Sequence, residues 1–262
     1  MNISLEGKKA LVCGSTQGIG KSCALELAEL GATVTVLARN EAELKKVKAE
    51  LDENSRLNHQ ILVADFSNPD YLKSQIASYL ERGNQVDILI NNTGGPPGGP
   101  IIDADYEAFQ SALGLHLHCN HILVQAVVPH MKQAGYGRII NIISTSVKIP
   151  IPGLGVSNTV RGAVASWSKT LSFELGKYGI TVNNVLPGFT ETARLESIIQ
   201  NKATKTGQTL DQVIQSMMVE TPAGRFGLPE EVAGLAAFLS TPAAAYINGT
   251  NIPVDGGRTG SL

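Results

Sequence analysis

Short apolar runs rich in β-branched residues alternate along this chain with longer stretches of helical periodicity, and that alternation restricts it to repeated strand-helix-strand units around a parallel sheet. A parallel strand is covered on both faces, so it reads as an unbroken apolar run such as Ala10-Leu11-Val12. The pattern predicts strands near 8–13, 32–38, 59–64, 86–91, 138–143, 180–186 and 250–254, and helices near 18–30, 41–53, 69–82, 103–133, 155–178 and 229–239. The expected fold class is α/β, a doubly wound parallel sheet of about seven strands with helices on both faces. At 262 residues and 43% hydrophobic content, one domain can bury a substantial core. No repeat, charged linker or composition break divides residues 1–262, so the chain reads as a single domain. Residues 190–226 depart from the alternation: polar, helical in pattern and following Pro187-Gly188, they read as a lid over the sheet's carboxyl edge, where open α/β sheets bind ligands.

Charge narrows the partners. The formal net charge is −2, without a block of like charge or a basic stripe, which argues against nucleic acid and membrane surfaces and for a small molecule. Cys13, Cys23 and Cys119 sit in apolar stretches without metal-ligand or paired spacing, so reduced buried thiols and no metal site are expected. The chain runs from Met1 into a strand within a dozen residues and holds no apolar run of bilayer length, which makes a cytoplasmic protein the expectation.

The stretch Cys13-Gly14-Ser15-Thr16-Gln17-Gly18-Ile19-Gly20 joins a predicted strand to a predicted helix, where glycines permit a tight turn and let helix amides approach a pyrophosphate. Further motifs follow in order: Asp65 after the third strand, Asn91-Asn92-Thr93-Gly94 after the fourth, Ser144 after the fifth and Pro187-Gly188 after the sixth. Gly137-Arg138-Ile139-Ile140, Gly179-Ile180-Thr181-Val182-Asn183, Asn248-Gly249-Thr250 and Asp255-Gly256-Gly257 complete the series. In these motifs, over essentially its whole length, the chain resembles the short-chain dehydrogenase/reductase family, a Rossmann-type fold, and within it the 3-oxoacyl-acyl-carrier-protein reductase group.

The resemblance implies a cofactor site formed by Gly14, Ser15, Gln17, Gly18 and Gly20, with Ile19 beneath the cofactor, Asp65 and Phe66 lining the adenine and Asn91 beside the adenosine. Gly94, Pro187 and Gly188 belong to the same rim, and Thr190 or Thr192 approaches the nicotinamide carboxamide. Cofactor choice rests on the end of the second strand, Leu37-Ala38-Arg39-Asn40, where an acidic residue would favour a ribose 2′-hydroxyl. Arg39 offers a fork suited to a 2′-phosphate, so NADP(H) is expected over NAD(H).

In the family a serine steadies the substrate carbonyl, a tyrosine thirteen residues on exchanges the proton and a lysine four further on lowers that tyrosine's pKa. Here Ser144 is kept, but Ser157 and Arg161 occupy the other two places, and His116 stands where the resemblance implies an asparagine. Residues 157 and 161 share a helix face. An aliphatic hydroxyl lacks a phenol's acidity, and a guanidinium does not shuttle protons, although Arg161 can clamp ribose or polarise a carbonyl. His116 and Lys148 are the candidate proton donors, against the plainer reading of each as a packed or surface residue.

Three functions follow. The leading one is an NADP(H)-dependent oxidoreductase acting on a carbonyl, either a 3-oxoacyl thioester or a small ketone, or on the corresponding alcohol. The others are a catalytically impaired dinucleotide-binding sensor or scaffold, and a lyase or isomerase on the same scaffold. The loop Thr93–Pro100 reads either as a wall of the substrate pocket or as a connector. Leu195, Ile198, Ile199, Val213, Ile214, Met217 and Met218 recur at helical spacing in the lid, read first as packing. The resemblance also implies a homo-oligomer, a tetramer or a dimer.

Overall fold

Strands that must be buried on both faces need helices on both sides, and the computed structural model, which describes residues 1–53, 55 and 57–261, supplies them. Among the described residues seven strands form one wholly parallel sheet: β1 (Lys9–Cys13), β2 (Thr33–Ala38), β3 (Gln60–Val63), β4 (Ile88–Asn91), β5 (Gly137–Ile142), β6 (Ile180–Pro187) and β7 (Asn251–Val254), in the order β3-β2-β1-β4-β5-β6-β7. Each lies within two residues of its predicted span. The order reverses between β1 and β4, which opens a crevice at their carboxyl ends.

Helices α1 (Gly18–Glu29), α2 (Glu41–Glu53) and α3 (Pro69–Glu81) fall where periodicity puts them. The helix expected over 103–133 is broken. A 3₁₀ turn at Ile101–Asp103 precedes α4 (Tyr106–Leu113), a π turn spans Gly114–His118, and α5 (Cys119–Ala134) follows. The start moves because Asp105 accepts a hydrogen bond from the Ala108 amide at 2.8 Å and so caps α4. The π turn turns His116 inward, to 1% exposure. Helix α6 (Gly155–Leu175) carries Ser157 and Arg161, and α9 (Pro229–Ser240) packs beside α1.

The lid comprises α7 (Ala193–Thr206) and α8 (Leu210–Val219). Its apolar residues Leu195, Ile199, Val213 and Met217 pack with Phe226 into a cluster of their own, against which Ile198, Ile214 and Met218 lie. At its base the Glu191 amide donates to Gly227 O and the Gly227 amide to Phe189 O, each at 2.8 Å, so the segment leaves and rejoins the body as a paired stem.

Apolar side chains fill most of the sheet, but one row across β4 to β7 is polar. Asn91, Asn141, Asn184 and Asn251 are mutual register partners. Each side-chain amide donates to the next carboxamide oxygen: Asn91 to Asn141 at 2.8 Å, Asn141 to Asn184 at 2.9 Å, Asn184 to Asn251 at 2.7 Å. All bonds run in one direction, so the dipoles add along the row. The row ends at Asn91 Oδ1, a buried acceptor without a partner.

Removing a middle rung strands buried groups on both sides. Asn141, fully buried, is expected to lose about 3 kcal/mol of unfolding free energy as Asn141→Ala, whereas Asn251→Ala at the half-buried end costs about 1 kcal/mol. Urea unfolding with unchanged m-values reads the difference, and equal losses would show that the ladder is not a connected network.

Candidate active site

The crevice opens into a cleft of about 490 Å³ whose walls come from four strand ends and the lid. Gly14 follows β1, Asn92 to Gly95 follow β4, Ser144 follows β5, and Pro187 and Gly188 end β6, with Ser157 and Arg161 from α6 and Thr190 to Leu195 from the lid stem. Gln17, Gly18, Ile19 and Ile198 also line it.

The glycine turn requires glycine. Gly14 has φ +59°, and a Cβ there would stand 2.6 Å from the Asn92 carbonyl oxygen. The Asn92 side chain donates to Cys13 O and Gly14 O, each at 3.3 Å, tying the ends of β1 and β4 together beneath the turn. Gln17, the N-cap of α1, makes no side-chain cap bond, and the first turn carries no acidic residue. The leading amides of this twelve-residue helix thus face the cleft without a side-chain acceptor, which suits a phosphate.

Other predicted cofactor residues sit behind or beside that turn. Ser15 is fully buried, its hydroxyl directed at Leu37 O, and Gly20 packs against Gly14. Arg39 is exposed at the end of β2. Asp65 lies near enough for Arg39 to favour its ionised form, although hydrogen bonds from Ser67 are the larger reason its carboxyl is held below the usual range. Phe66 is half-buried, and its carbonyl accepts from the Cys119 thiol. The side chain of Asn91 is committed to the asparagine ladder, and the residue on the cleft wall is its neighbour Asn92.

Ser144, Ser157 and Arg161 converge on the cleft. Ser144 accepts the Ser146 amide at 3.1 Å, which fixes its oxygen and leaves its hydroxyl proton free to donate into the cleft. Arg161 is 8% exposed, donates from Nη1 to Ile142 O at 3.0 Å, and has an Nε without a partner. Desolvation and the nearby Arg194 charge bring its pKa down to about 10, so it remains a cation at neutral pH. Arg194 donates to Pro96 O at 2.7 Å and faces the same space. Sequence reading missed Arg194. Its signal was a cation in the first turn of α7, where the helix dipole disfavours one.

His116 stands one layer behind the cleft, its Nδ1 2.5 Å from the Thr93 hydroxyl and its Nε2 buried without a partner. Burial, then the Arg161 charge, pushes its pKa down to about 3. A neutral imidazole off the wall is not a store of protons at working pH, and Lys148 does not line the cleft either. Asn158 ties the loop before α6 to the helix through Ile151 O at 2.8 Å. Of the Thr93–Pro100 loop, Thr93, Gly94 and Gly95 are on the cleft wall. The three cysteines are free and buried; burial raises all their thiols, Cys23 and Cys119 to about 12. Among the described residues there is no cluster that could hold a metal ion, and no helix long and apolar enough to cross a membrane.

A doubly wound sheet, an uncapped glycine turn at its switch point and a serine-bearing strand end beside it define the class of a nucleotide-dependent short-chain dehydrogenase/reductase. A family model described as enoyl-(acyl carrier protein) reductase matches residues 14–259, and the chain belongs to that family within the short-chain dehydrogenases/reductases. It is similar to a gluconate 5-dehydrogenase of Gluconobacter oxydans, 30% identical across 99% of this chain and 97% of that protein. A 3-oxoacyl-[acyl-carrier-protein] reductase of Synechocystis is 34% identical across 97% and 98%. Among solved structures, L-sorbose reductase from Gluconobacter frateurii, complexed with NADPH and L-sorbose, superposes with a TM-score of 0.93 at 30% identity over 100% of both chains.

The histidine carries a pH prediction. Its folded pKa lies below its unfolded one, so the stability it contributes is complete above pH 6.5 and is lost as pH falls toward 3. In that window this residue alone costs about 1.4 kcal/mol per pH unit, and His116→Gln flattens the slope by that amount. NMR of the ring should show it still neutral at about pH 5; an ordinary titration near 6.5 contradicts the burial argument.

Proposed function

We propose that this chain is an NADP(H)-dependent oxidoreductase that reduces a carbonyl, a small ketone or a 3-oxoacyl compound, or oxidises the corresponding alcohol. The observation that carries it is the meeting, in one cleft, of an anion-receptive glycine turn and the donors Ser144 and Arg161. Glycines at positions where a Cβ would strike Asn92 or the Gly14 backbone keep the turn tight, and its uncapped helix amides suit a dinucleotide pyrophosphate. The exposed fork of Arg39, free of salt bridges to described residues, favours a 2′-phosphate. That a close structural relative holds NADPH supports the same choice.

When bound, the nicotinamide supplies the hydride. This chain's own residues do the rest. The Ser144 hydroxyl donates to the substrate oxygen, and the charge of the largely buried Arg161 stabilises the alkoxide that develops there. The alkoxide proton comes from water through the Ser157 hydroxyl, which accepts on one side and donates on the other. No group in that path titrates near neutrality. Turnover is thus expected to vary little between about pH 6 and 9, unlike an enzyme with a titrating phenol.

An NADPH-oxidation assay over ketones, aldehydes and 3-oxoacyl thioesters tests the reading, with Ser144→Ala expected to lower kcat about 100-fold. NADPH bound tightly without turnover of any of them would instead support the sensor reading. For cofactor choice, Arg39→Ala should weaken NADP(H) about 10- to 100-fold and leave NAD(H), which lacks the 2′-phosphate, nearly unchanged in direct titrations. Equal losses for both would remove Arg39 from the phosphate.

A further inference from the structure

Arg161 and Arg194 come from different elements, α6 and the lid, yet both present a guanidinium to one spot on the cleft wall. The spot is marked by Gly95. A Cβ on that glycine would stand 3.6 Å from Arg194 Nη2 and 3.7 Å from Arg161 Nη2. After burial, it is the Arg194 charge that lowers the hold of Arg161 on its proton, and two like charges this close, one of them almost fully buried, gain from a shared counter-ion. None is supplied by the fold. Neither arginine forms an ion pair with a described residue, and each spends one donor on a backbone carbonyl, Ile142 O or Pro96 O. Among the lining residues Glu191 is the sole carboxylate; it is exposed, and its charge acts on Arg225. Arg161 Nε remains a buried donor with no partner.

We infer that the cleft selects a substrate bearing a carboxylate, an oxo acid or the matching hydroxy acid, whose carboxylate sits over Gly95 between Arg161 and Arg194. The inference rests on the reading of the cleft as a carbonyl-reducing site and adds its substrate class. A planar carboxylate has two oxygens for two guanidinium forks, and the missing side chain of Gly95 leaves the space they need. Ser144 and Ser157 lie on the same cleft, so the carbonyl of a short oxo acid anchored there has its hydrogen-bond donors at hand. Because Arg194 belongs to the lid, the anion also fastens lid to body.

Calorimetric titration with malonate, on the full chain with and without saturating NADPH, tests this directly. Binding to the NADPH-loaded protein is expected, weakening steeply with added salt. Arg194→Ala should weaken it about tenfold or more, and Arg194→Lys less, because the point charge survives but the fork does not. Gly95→Ala is the control that folds: its methyl meets only ordinary contacts, yet fills the anion's place, and it too should weaken malonate about tenfold while NADPH affinity stays within about threefold. In turnover, an oxo acid should exceed its methyl ester about 100-fold in kcat/KM, with that ratio collapsing in Arg194→Ala. Absence of malonate binding overturns the inference. So does binding abolished by NADPH, which would assign the arginines to the cofactor's phosphates, and so does binding indifferent to all three substitutions. Failure of NADPH itself to bind would strike the proposed function instead, and the titration without NADPH would still report on the arginine pair.

Discussion

The contact between Gly14 and Asn92 is the constraint on which the site depends. At the sheet's switch point β1 and β4 lie side by side while their crossovers leave in opposite directions, and the Asn92 side chain closes the gap by bonding to Cys13 O and Gly14 O. No side chain fits at Gly14 against that carbonyl. The consequence is a turn made wholly of backbone, from which α1 departs with its amides uncapped. A few residues away the asparagine ladder keeps β4, β5, β6 and β7 in register, so the strand ends that carry Thr93, Ser144 and Pro187 are set at fixed offsets around one cleft. Backbone geometry thus builds the binding half, and buried amides align the reacting half.

Electrostatically the site is organised around cations. Where a phenol paired with a lysine would give an acid titrating within reach of neutrality, this chain has an alcohol and a guanidinium, neither of which changes charge at working pH. Burial first, and then the Arg161 charge, keep the His116 imidazole neutral, and its bond to Thr93 braces the loop that forms the cleft wall. A positively biased cleft favours transition states that gain negative charge on oxygen, and it favours substrates that arrive negatively charged.

Much of this was legible in the sequence, for identifiable reasons. Parallel strands covered on both faces announce themselves as largely apolar runs, and this made β1, β2, β4, β5 and β6 readable, while the half-buried edge strands β3 and β7 follow from the alternation with helices. The glycine turn was legible because positive φ and close approach leave glycine no substitute. The broken helix before α5 was not, because apolar periodicity continues through a π turn and only the Asp105 cap and Gly114 betray it. The convergence of Ser144, Ser157 and Arg161 follows from motif spacing, but which asparagine faces the cleft, Asn91 or Asn92, is decided by the pleat and cannot be counted from a motif. Arg194 escaped because its partner in space, Arg161, is far along the chain and no local pattern links them.

As proposed, this cleft moves a hydride to carbon without a titrating phenol. Turnover of an oxo acid with NADPH deuterated at the transferring face of C4 tests it most directly. The site predicts a hydroxy acid carrying one deuterium on the former carbonyl carbon, with a primary isotope effect that is the same at acid and alkaline pH. Product without deuterium on that carbon, formed by the bound protein, would contradict it.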